Sequence, residues 1–342
     1  MIIRVCAFTT KGRNIADTLA EKLYDCVLET VPESGDMDDF IGDSFNKRIP
    51  VIFIGAMGIA VRKIAPFVND KLTDSPVVVI DENGEYVIPV LSNHLGGAND
   101  IAVRCANALG GQVVVTTATD VSGTFAIDIF AKNNGLKIVN REGIKRVSSK
   151  ILEQGNIKVA IDPIIEVDAS KVPDCIQLVD CCDREADVFV GMPESDMRGY
   201  SDECLKLIFK PYILGLGCKK NTDFIKFETY IEGVLSGNAI EEELVAGMAS
   251  IDLKQKELCF LYYEAKHRIP FKTFSAEELI SVEGDFCASD FVKEVTGVSN
   301  VCERSAMKMA GDGAELIVKK CVGEGMTLAV CRRKERIDIW KS

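Results

Sequence analysis

His94 is the residue of this sequence best suited to proton transfer. It is one of two histidines and lies in the string SNHLGGAN (residues 92–99), which has the composition of a turn rather than of an apolar helix face. Imidazole exchanges a proton near neutral pH, so a histidine in a turn is a candidate general base. The other histidine, His267, stands between Lys266 and Arg268, and we expect it to be a solvated helix cap.

The string around His94 is one of three Gly- or Thr-rich segments that each follow a strand-like run. The others are GAMGIAVR (55–62) and TTATD (116–120). Glycines let a ligand approach the backbone, and helix N-termini offer free N–H donors, so such turns suit carboxylates or phosphates. Because the strands of a parallel sheet end at one edge, we expect all three segments at the carboxyl edge. An interpretation as turns and helix caps alone stays open.

The residues of these segments divide into ligand-binding and catalytic candidates. The predicted ligand-binding residues are Gly55, Gly58, Arg62, Ser92, Asn93, Gly96, Gly97, Asn99, Thr116, Thr117 and Thr119. Asp120 is a reserve candidate for catalysis, because a carboxylate at a strand end can also accept a proton.

A second group of candidates lies in the last third of the chain. The string GLGCKK (215–220) predicts a glycine turn with two cations, and its binding candidates are Gly215, Gly217, Cys218, Lys219 and Lys220. It lacks the third glycine of a dinucleotide fingerprint, so it is weak evidence for such a site. After a buried strand come Asp252 and Lys254 as further binding candidates and Glu257 as a reserve catalytic carboxylate. Asp252 could equally be an N-cap. Glu303 and Lys320 complete the predicted binding set.

Alternating strand and helix signals predict an α/β protein. In the first 135 residues they predict a parallel sheet, with strands at 2–8, 50–55, 77–80 and 112–115 and helices at 13–23, 58–68, 98–109 and 124–133. Weaker signals from about 140 to 209 predict a small α/β region with some antiparallel pairing. We predict an amino-terminal α/β domain at 1–139, a middle region at 140–210, a second α/β domain at 211–335 and a tail at 336–342. The charged run 332–336 is expected to be solvated.

Charge and composition exclude several classes of protein. The net charge is −12, from 40 basic and 52 acidic residues, which argues against nucleic-acid binding and against an anionic membrane surface. The longest apolar run, 51–61, is about half of a membrane span, and no export signal is recognisable, so we expect a cytoplasmic protein. The thirteen cysteines are scattered, and most should be reduced, buried thiols. No histidine lies near the pair Cys181-Cys182, so no metal site is predicted.

The motifs together resemble those of the CbiG family of cobalt-precorrin-5A hydrolases. GxxGxxxR (55–62), SxHxGGAN (92–99) and TTATD (116–120) are similar to its amino-terminal half. GxGC (215–218), ASIDxKxxE (249–257), FSAEEL (274–279) and GVxNVxE (297–303) are similar to its carboxyl-terminal half. This chain has Asn93 and Asn221 where the family usually has glycine, and Lys219 where it has arginine. We expect Asn93 to adopt a left-handed turn conformation, and Lys219 to lose bidentate geometry.

The resemblance implies an enzyme of anaerobic cobalamin synthesis. Its substrate would be cobalt-precorrin-5A, a cobalt-containing tetrapyrrole with acetate and propionate arms. Water would open the δ-lactone, and acetaldehyde would leave to give cobalt-precorrin-5B. The substrate carries the cobalt, so no cofactor is expected, and neighbouring pathway enzymes are the expected handover partners. The alternatives are a non-catalytic corrinoid-binding module for handover, and a flavodoxin-like nucleotide-binding protein.

Overall fold

The computed structural model describes residues 1–32, 35–70, 73–94, 96–115, 125–337 and 340, with residues 290 and 291 described at the backbone only. The strands are β1 (Ile2–Ala7), β2 (Val27–Thr30), β3 (Val51–Ile54), β4 (Val77–Ile80), β5 (Tyr86–Leu91), β6 (Gln112–Val113), β7 (Leu136–Ile138), β8 (Ile157–Ile161), β9 (Glu166–Val167), β10 (Ile176–Val179), β11 (Val188–Gly191), β12 (Leu205–Phe209), β13 (Tyr212–Cys218), β14 (Val245–Ile251), β15 (Phe271–Phe274), β16 (Glu315–Gly323), β17 (Met326–Arg332) and β18 (Arg336–Ile337). The α-helices are α1 (Thr10–Lys22), α2 (Met37–Lys47), α3 (Met57–Ile64), α4 (Ala98–Leu109), α5 (Ile127–Asn133), α6 (Glu142–Gln154), α7 (Phe224–Gly237), α8 (Leu258–His267), α9 (Ala276–Ile280), α10 (Asp290–Thr296) and α11 (Val301–Ala310).

The first sheet has the strand order β2-β1-β3-β4-β5-β6 and helices on both faces. Side chains of α1 and α4 pack on one face, and those of α2 and α3 pack on the other. Strands β3 and β4 are buried along their whole length, which explains their uninterrupted apolar sequence. The predicted α/β fold class is confirmed.

Strand β5 was not predicted, and it changes where the motifs lie. It follows β4 through a tight hairpin in which Gly84 has φ 73° and donates its N–H to the Asp81 carbonyl at 3.0 Å. Consequently β5 runs antiparallel to β4, while β1 to β4 are parallel to one another. The segment after β3 and the segment after β5 therefore lie at opposite edges of the sheet. The prediction that all three motifs share the carboxyl edge is wrong.

The second sheet has the order β10-β8-β11-β12-β7. Its first four strands are parallel, and β7 is antiparallel to β12, which agrees with the mixed pairing predicted for this region. Strand β7 belongs to this sheet and helix α5 packs in its core, although both precede the predicted boundary at 139. The domain boundaries themselves stay predictions.

The charged run before the carboxyl terminus is only partly solvated, since Lys334 and Arg336 are exposed and Arg332, Arg333 and Glu335 are half-buried. The Arg333 guanidinium lies 3.9 Å from the Phe209 ring centroid and donates to the carbonyls of Lys210 and Asn134. Ile337 and Trp340 are buried in the core of the second sheet. The expectation of a solvated run at 332–336 is therefore confirmed for Lys334 and Arg336 and wrong for Arg333, and apolar residues after the run anchor the chain.

The third sheet has the order β15-β14-β13-β17-β16, with β13 and β14 parallel and β16 and β17 antiparallel neighbours. Helix α9 begins with the capping box predicted at Ser275 and Glu278. Contacts divide the chain into two compact units, one of Met1–Thr117, Lys220–Phe227 and Gln255–Phe271, and one of the remaining residues. Within the described residues, no helix combines the length and apolar character needed to cross a membrane.

Candidate active site

The His94 loop (residues 92–99, of which 95 is not described) connects β5 to α4. Its backbone closes on itself: Gly97 N–H donates to the His94 carbonyl at 3.1 Å, Ala98 N–H to the Ser92 carbonyl at 3.3 Å, and Asn99 N–H to the Asn93 carbonyl at 3.1 Å. The left-handed residues of the loop are Ser92, with φ 56°, and Gly97, with φ 88°, and not Asn93 as predicted. Gly97 N–H is thus engaged within the loop. The loop is suited to hold His94 in place at the start of α4.

Gly96 is needed for the loop to close. A Cβ atom at this position would lie 2.4 Å from the Ser92 Cβ and 2.6 Å from the Ser92 carbonyl oxygen. No L side chain fits at such distances without moving the backbone, so the absence of a side chain at Gly96 has a packing cause.

Asp74 supports the loop from the segment before β4. Its buried carboxylate accepts the N–H groups of Asn69 and Asp70, both at 3.1 Å. Its carbonyl accepts the Ser92 hydroxyl at 2.9 Å and Arg268 Nη2 at 3.0 Å. The loop is therefore tied to a rigid turn and to a cation from a distant part of the sequence.

Arg268 reaches this position because α8 packs in the same unit as the first sheet. Leu261 of α8 lies in a buried cluster with Ile2 and Ile49, and the Tyr262 hydroxyl donates to Glu29 Oε1 at 2.7 Å. Burial, reinforced by the bond to Glu29, raises the pKa of Tyr262 to about 12, so this hydroxyl remains a donor. Arg268 then ends α8 with φ 53°.

Asp74 and Arg268 were both missed by the sequence analysis. Arg268 follows His267 and reads as a solvated helix end, and no local signal places it near residue 92. Asp74 does have a weak signal, since Asp-Ser-Pro directly before an apolar run is typical of a turn.

The Arg62 turn (residues 55–62) lies at the opposite edge of the first sheet. Gly55, with φ 141°, leaves β3 and leads into α3, and the Arg62 guanidinium folds back so that Nη1 lies 3.9 Å from where a Gly58 Cβ would be. Three apolar side chains of α3 are exposed to between 38 and 46%, namely Met57, Ile59 and Val61. This surface combines an exposed cation with apolar side chains, which suits a ligand with carboxylate arms and an apolar face.

The two edges are too far apart to act on one atom. Strands β3 and β4 have four residues each, so at about 3.3 Å per residue the edges are separated by roughly 13 Å. Strand β6 is parallel to β5, so it ends at the same edge as the His94 loop. It leads to the TTATD motif, whose candidates Thr116, Thr117, Thr119 and Asp120 lie outside the described residues.

Gly215 and Gly217 lie inside strand β13 and not in a turn, which corrects the prediction. Gly215 pairs with Ala249 on one side and Ala329 on the other. A Cβ at Gly215 would lie 1.7 Å from the Cys302 carbonyl oxygen, and one at Gly217 would lie 2.5 Å from Thr327 Oγ1. Both glycines are therefore explained by close packing, Gly215 against α11 and Gly217 against β17.

Several polar candidates follow strand ends at the carboxyl edge of the third sheet. Because β13 and β14 are parallel, Lys219, Asp252 and Lys254 follow strand ends at one edge. Lys219 and Asp252 are exposed, and Lys254 is half-buried. Cys218 is half-buried at the end of β13, and Lys220, also exposed, follows Lys219. These side chains remain candidates for binding an anionic ligand.

The two glutamates of this region are engaged in the fold. Glu257 is buried, and its Oε1 accepts the N–H of Asn221 at 2.8 Å; Asn221 has φ 60°, which fits its place where the family has glycine. Glu303 is fully buried and accepts the N–H of Cys287 at 2.9 Å, Asn300 Nδ2 at 2.6 Å and the N–H of Lys320 at 2.7 Å. Three donors satisfy this carboxylate, so Glu303 has a structural role and not the predicted binding role.

Comparison with known proteins identifies the family. The model described as "Cobalamin synthesis G N-terminal" matches residues 39–120, "Cobalamin biosynthesis central region" matches 125–198, and "Cobalamin synthesis G C-terminus" matches 212–331. A protein named cobalt-precorrin-5A hydrolase from Salmonella typhimurium is 31% identical over 306 residues, which cover 88% of this chain and 86% of that protein. One of the same name from Priestia megaterium is 31% identical over 303 residues, covering 84% and 80%.

Among solved structures, the chain is similar to a homolog of cobalamin biosynthesis protein G from Sulfolobus solfataricus. The identity is 22%, the match covers 97% of this chain and 96% of the other, and the TM-score is 0.40. That similarity is too weak to support an inference. Since three models match successive parts of the chain and the identity reaches 31% over most of two relatives, this chain belongs to the CbiG family of cobalamin-synthesis proteins.

Proposed function

We propose that this protein is a cobalt-precorrin-5A hydrolase. The observation that carries the proposal is 31% identity, over 88% of the chain, to a protein of that name. In the proposed reaction, water opens the δ-lactone of the tetrapyrrole and a two-carbon fragment leaves as acetaldehyde, giving cobalt-precorrin-5B. Cobalt enters as part of the substrate, and the reaction is proposed to need no resident cofactor.

His94 is proposed as the general base. Lactone opening needs a group that removes a proton from the attacking water, and loss of acetaldehyde needs a proton removed from a hydroxyl and one delivered to the macrocycle. The His94 loop supports this role because hydrogen bonds within the loop and with Asp74 order its backbone. Asp120 is the first reserve for the role. Glu257 is the weaker reserve, since it is buried and already accepts the Asn221 N–H.

The carboxylate arms of the substrate are proposed to bind exposed cations. Arg62 supplies one such group, and Lys219 and Lys220 supply two more after β13. A charge-assisted hydrogen bond is worth about 1.5–3 kcal/mol, which corresponds to roughly a tenfold or greater change in affinity. Unchanged affinity in both Arg62→Ala and the Lys219→Ala/Lys220→Ala double variant would remove this part of the proposal.

An anaerobic assay with cobalt-precorrin-5A tests the activity directly. The expected result is release of one acetaldehyde for each macrocycle converted, with the cobalt retained in the product. Binding of the macrocycle without acetaldehyde release would instead support a module that hands corrinoids to neighbouring pathway enzymes.

A cytoplasmic location is part of the same proposal. Thirteen free thiols suit a reducing compartment.

A further inference from the structure

Two thiols and a carboxylate converge in the turn after β10. The ligand atoms of Asp180, Cys181 and Cys182 all lie within 4.8 Å of one another. Asp180 and Cys182 are exposed, and Cys181 is half-buried, so the cluster opens to solvent. The sequence analysis predicts no metal site here because no histidine lies near the cysteine pair, but Asp180, directly before Cys181, supplies a carboxylate as the third ligand.

The turn that carries the cluster is held rigidly. Asp183 N–H donates to the Asp180 carbonyl at 2.9 Å, and Cys182 N–H donates to Asp180 Oδ1 at 2.8 Å. The Tyr200 hydroxyl donates to the Cys181 carbonyl. Tyr200 is itself fixed by stacking on Phe189, with ring centroids 4.4 Å apart. A ligand would therefore meet three groups whose backbone is already ordered, which reduces the entropy cost of binding.

The two thiols of this turn differ from the buried thiols in their access to solvent. Desolvation raises the pKa of Cys6 and Cys105 to about 12, as expected for thiols that act as small apolar groups. Cys182 and Asp180 are instead exposed, and Cys181 is half-buried. A cation can therefore reach these ligand atoms, whereas it cannot reach a buried thiol.

We propose that Asp180, Cys181 and Cys182 form a binding site for a thiophilic divalent cation of the Zn²⁺ or Co²⁺ class. Both thiols lose their protons to solvent, and two S–M bonds and one carboxylate O–M bond form. The net charge of the site stays at −1, because the two positive charges of the ion replace the two protons that the thiols lose. Thiolate and carboxylate together are ligands that these ions accept, and the three-ligand set leaves a fourth tetrahedral position for water. The site is independent of the proposed hydrolase activity.

Titration of the reduced, chelator-treated protein with CoCl₂ under anaerobic conditions tests the site. A thiolate-to-cobalt absorbance band in the near ultraviolet should saturate at one ion per chain, and binding should release about two protons. The double variant Cys181→Ser/Cys182→Ser should lose the band. Asp180→Asn keeps an oxygen to accept the Cys182 N–H but removes the charge, and affinity should fall at least about tenfold.

Cys287→Ser is the matched control, because Cys287 is also an exposed thiol. It should leave the titration unchanged, and circular dichroism should show that all variants are folded. A wild-type protein without a saturable band, a band that survives in the double variant, or a band removed by Cys287→Ser would each overturn the proposal.

Discussion

Two edges of the first sheet carry glycine-rich segments that are similar in sequence. They differ in how closely other atoms approach their glycines. In the His94 loop, glycine is required because a Cβ at Gly96 would lie 2.4 Å from Ser92. In the Arg62 turn, a Cβ at Gly58 would have the flexible Arg62 guanidinium as its nearest neighbour, at 3.9 Å. In the His94 loop, the glycine and the backbone N–H groups close the loop on itself. The Arg62 turn instead presents an exposed surface. A glycine motif therefore indicates a ligand site only after its packing is known.

The largest expected difference between the edges is in turnover. His94→Gln should lower kcat by about 10²–10⁴-fold with KM nearly unchanged, because it removes a proton acceptor and keeps the loop. Acetaldehyde release at saturating substrate measures this. His267→Gln is the control, because it makes the same substitution at the other histidine, which lies outside the His94 loop and stacks on Tyr263 with ring centroids 4.1 Å apart. A kcat of His94→Gln within about threefold of wild type would transfer the role to a carboxylate.

The two glycines allow a direct test of packing. Gly96→Ala should lower the free energy of unfolding by about 1–3 kcal/mol, because the new methyl group overlaps Ser92. Gly58→Ala should leave it unchanged or raise it by up to about 1 kcal/mol, because alanine favours the helix in which residue 58 lies. Urea unfolding of both variants gives the comparison. Equal losses would mean that the two segments do not differ as described.

Removal of the exposed cation should affect binding alone. Arg62→Ala should weaken substrate binding roughly tenfold and leave kcat near the wild-type value, because we propose that this charge binds a carboxylate arm and not the reacting atoms. Arg62→Lys should recover part of the affinity, since it keeps the charge without the bidentate geometry. A large fall in kcat with KM unchanged would assign the Arg62 turn to the chemistry.

The smallest effect is expected at the support of the His94 loop. Arg268→Ala removes one hydrogen bond to the Asp74 carbonyl, which still accepts the Ser92 hydroxyl, so kcat should fall by roughly two- to tenfold. Arg48→Ala is a matched control, because Arg48 also ends a helix in the left-handed conformation. If both variants have the same kcat, Arg268 does not position the loop.

Local patterns were sufficient for the fold class and for most of the elements, although β2, α2 and β5 were not predicted. The apolar runs at Val51–Ile54 and Val77–Ile80 are strands buried on both faces, because only such strands can do without polar residues. The capping box at Ser275 marks the start of a helix through its own side chains. The motif order also pointed to the CbiG family, which the family models show independently.

Relations between distant residues were decided by the tertiary structure. Asn83-Gly84 is a local hairpin signal that could have revealed β5, but the edge at which His94 lies depends on which strand β5 joins. Gly215 is explained only by the packing of α11 on β13. Glu303 becomes structural only when two donors from other segments, the N–H groups of Cys287 and Lys320, join the nearby Asn300 around its carboxylate. A sequence shows what each segment can form through its neighbours along the chain. Which residues are buried, and which groups they bond to, depends on which segments pack together. The free energy of the whole packed chain decides that arrangement.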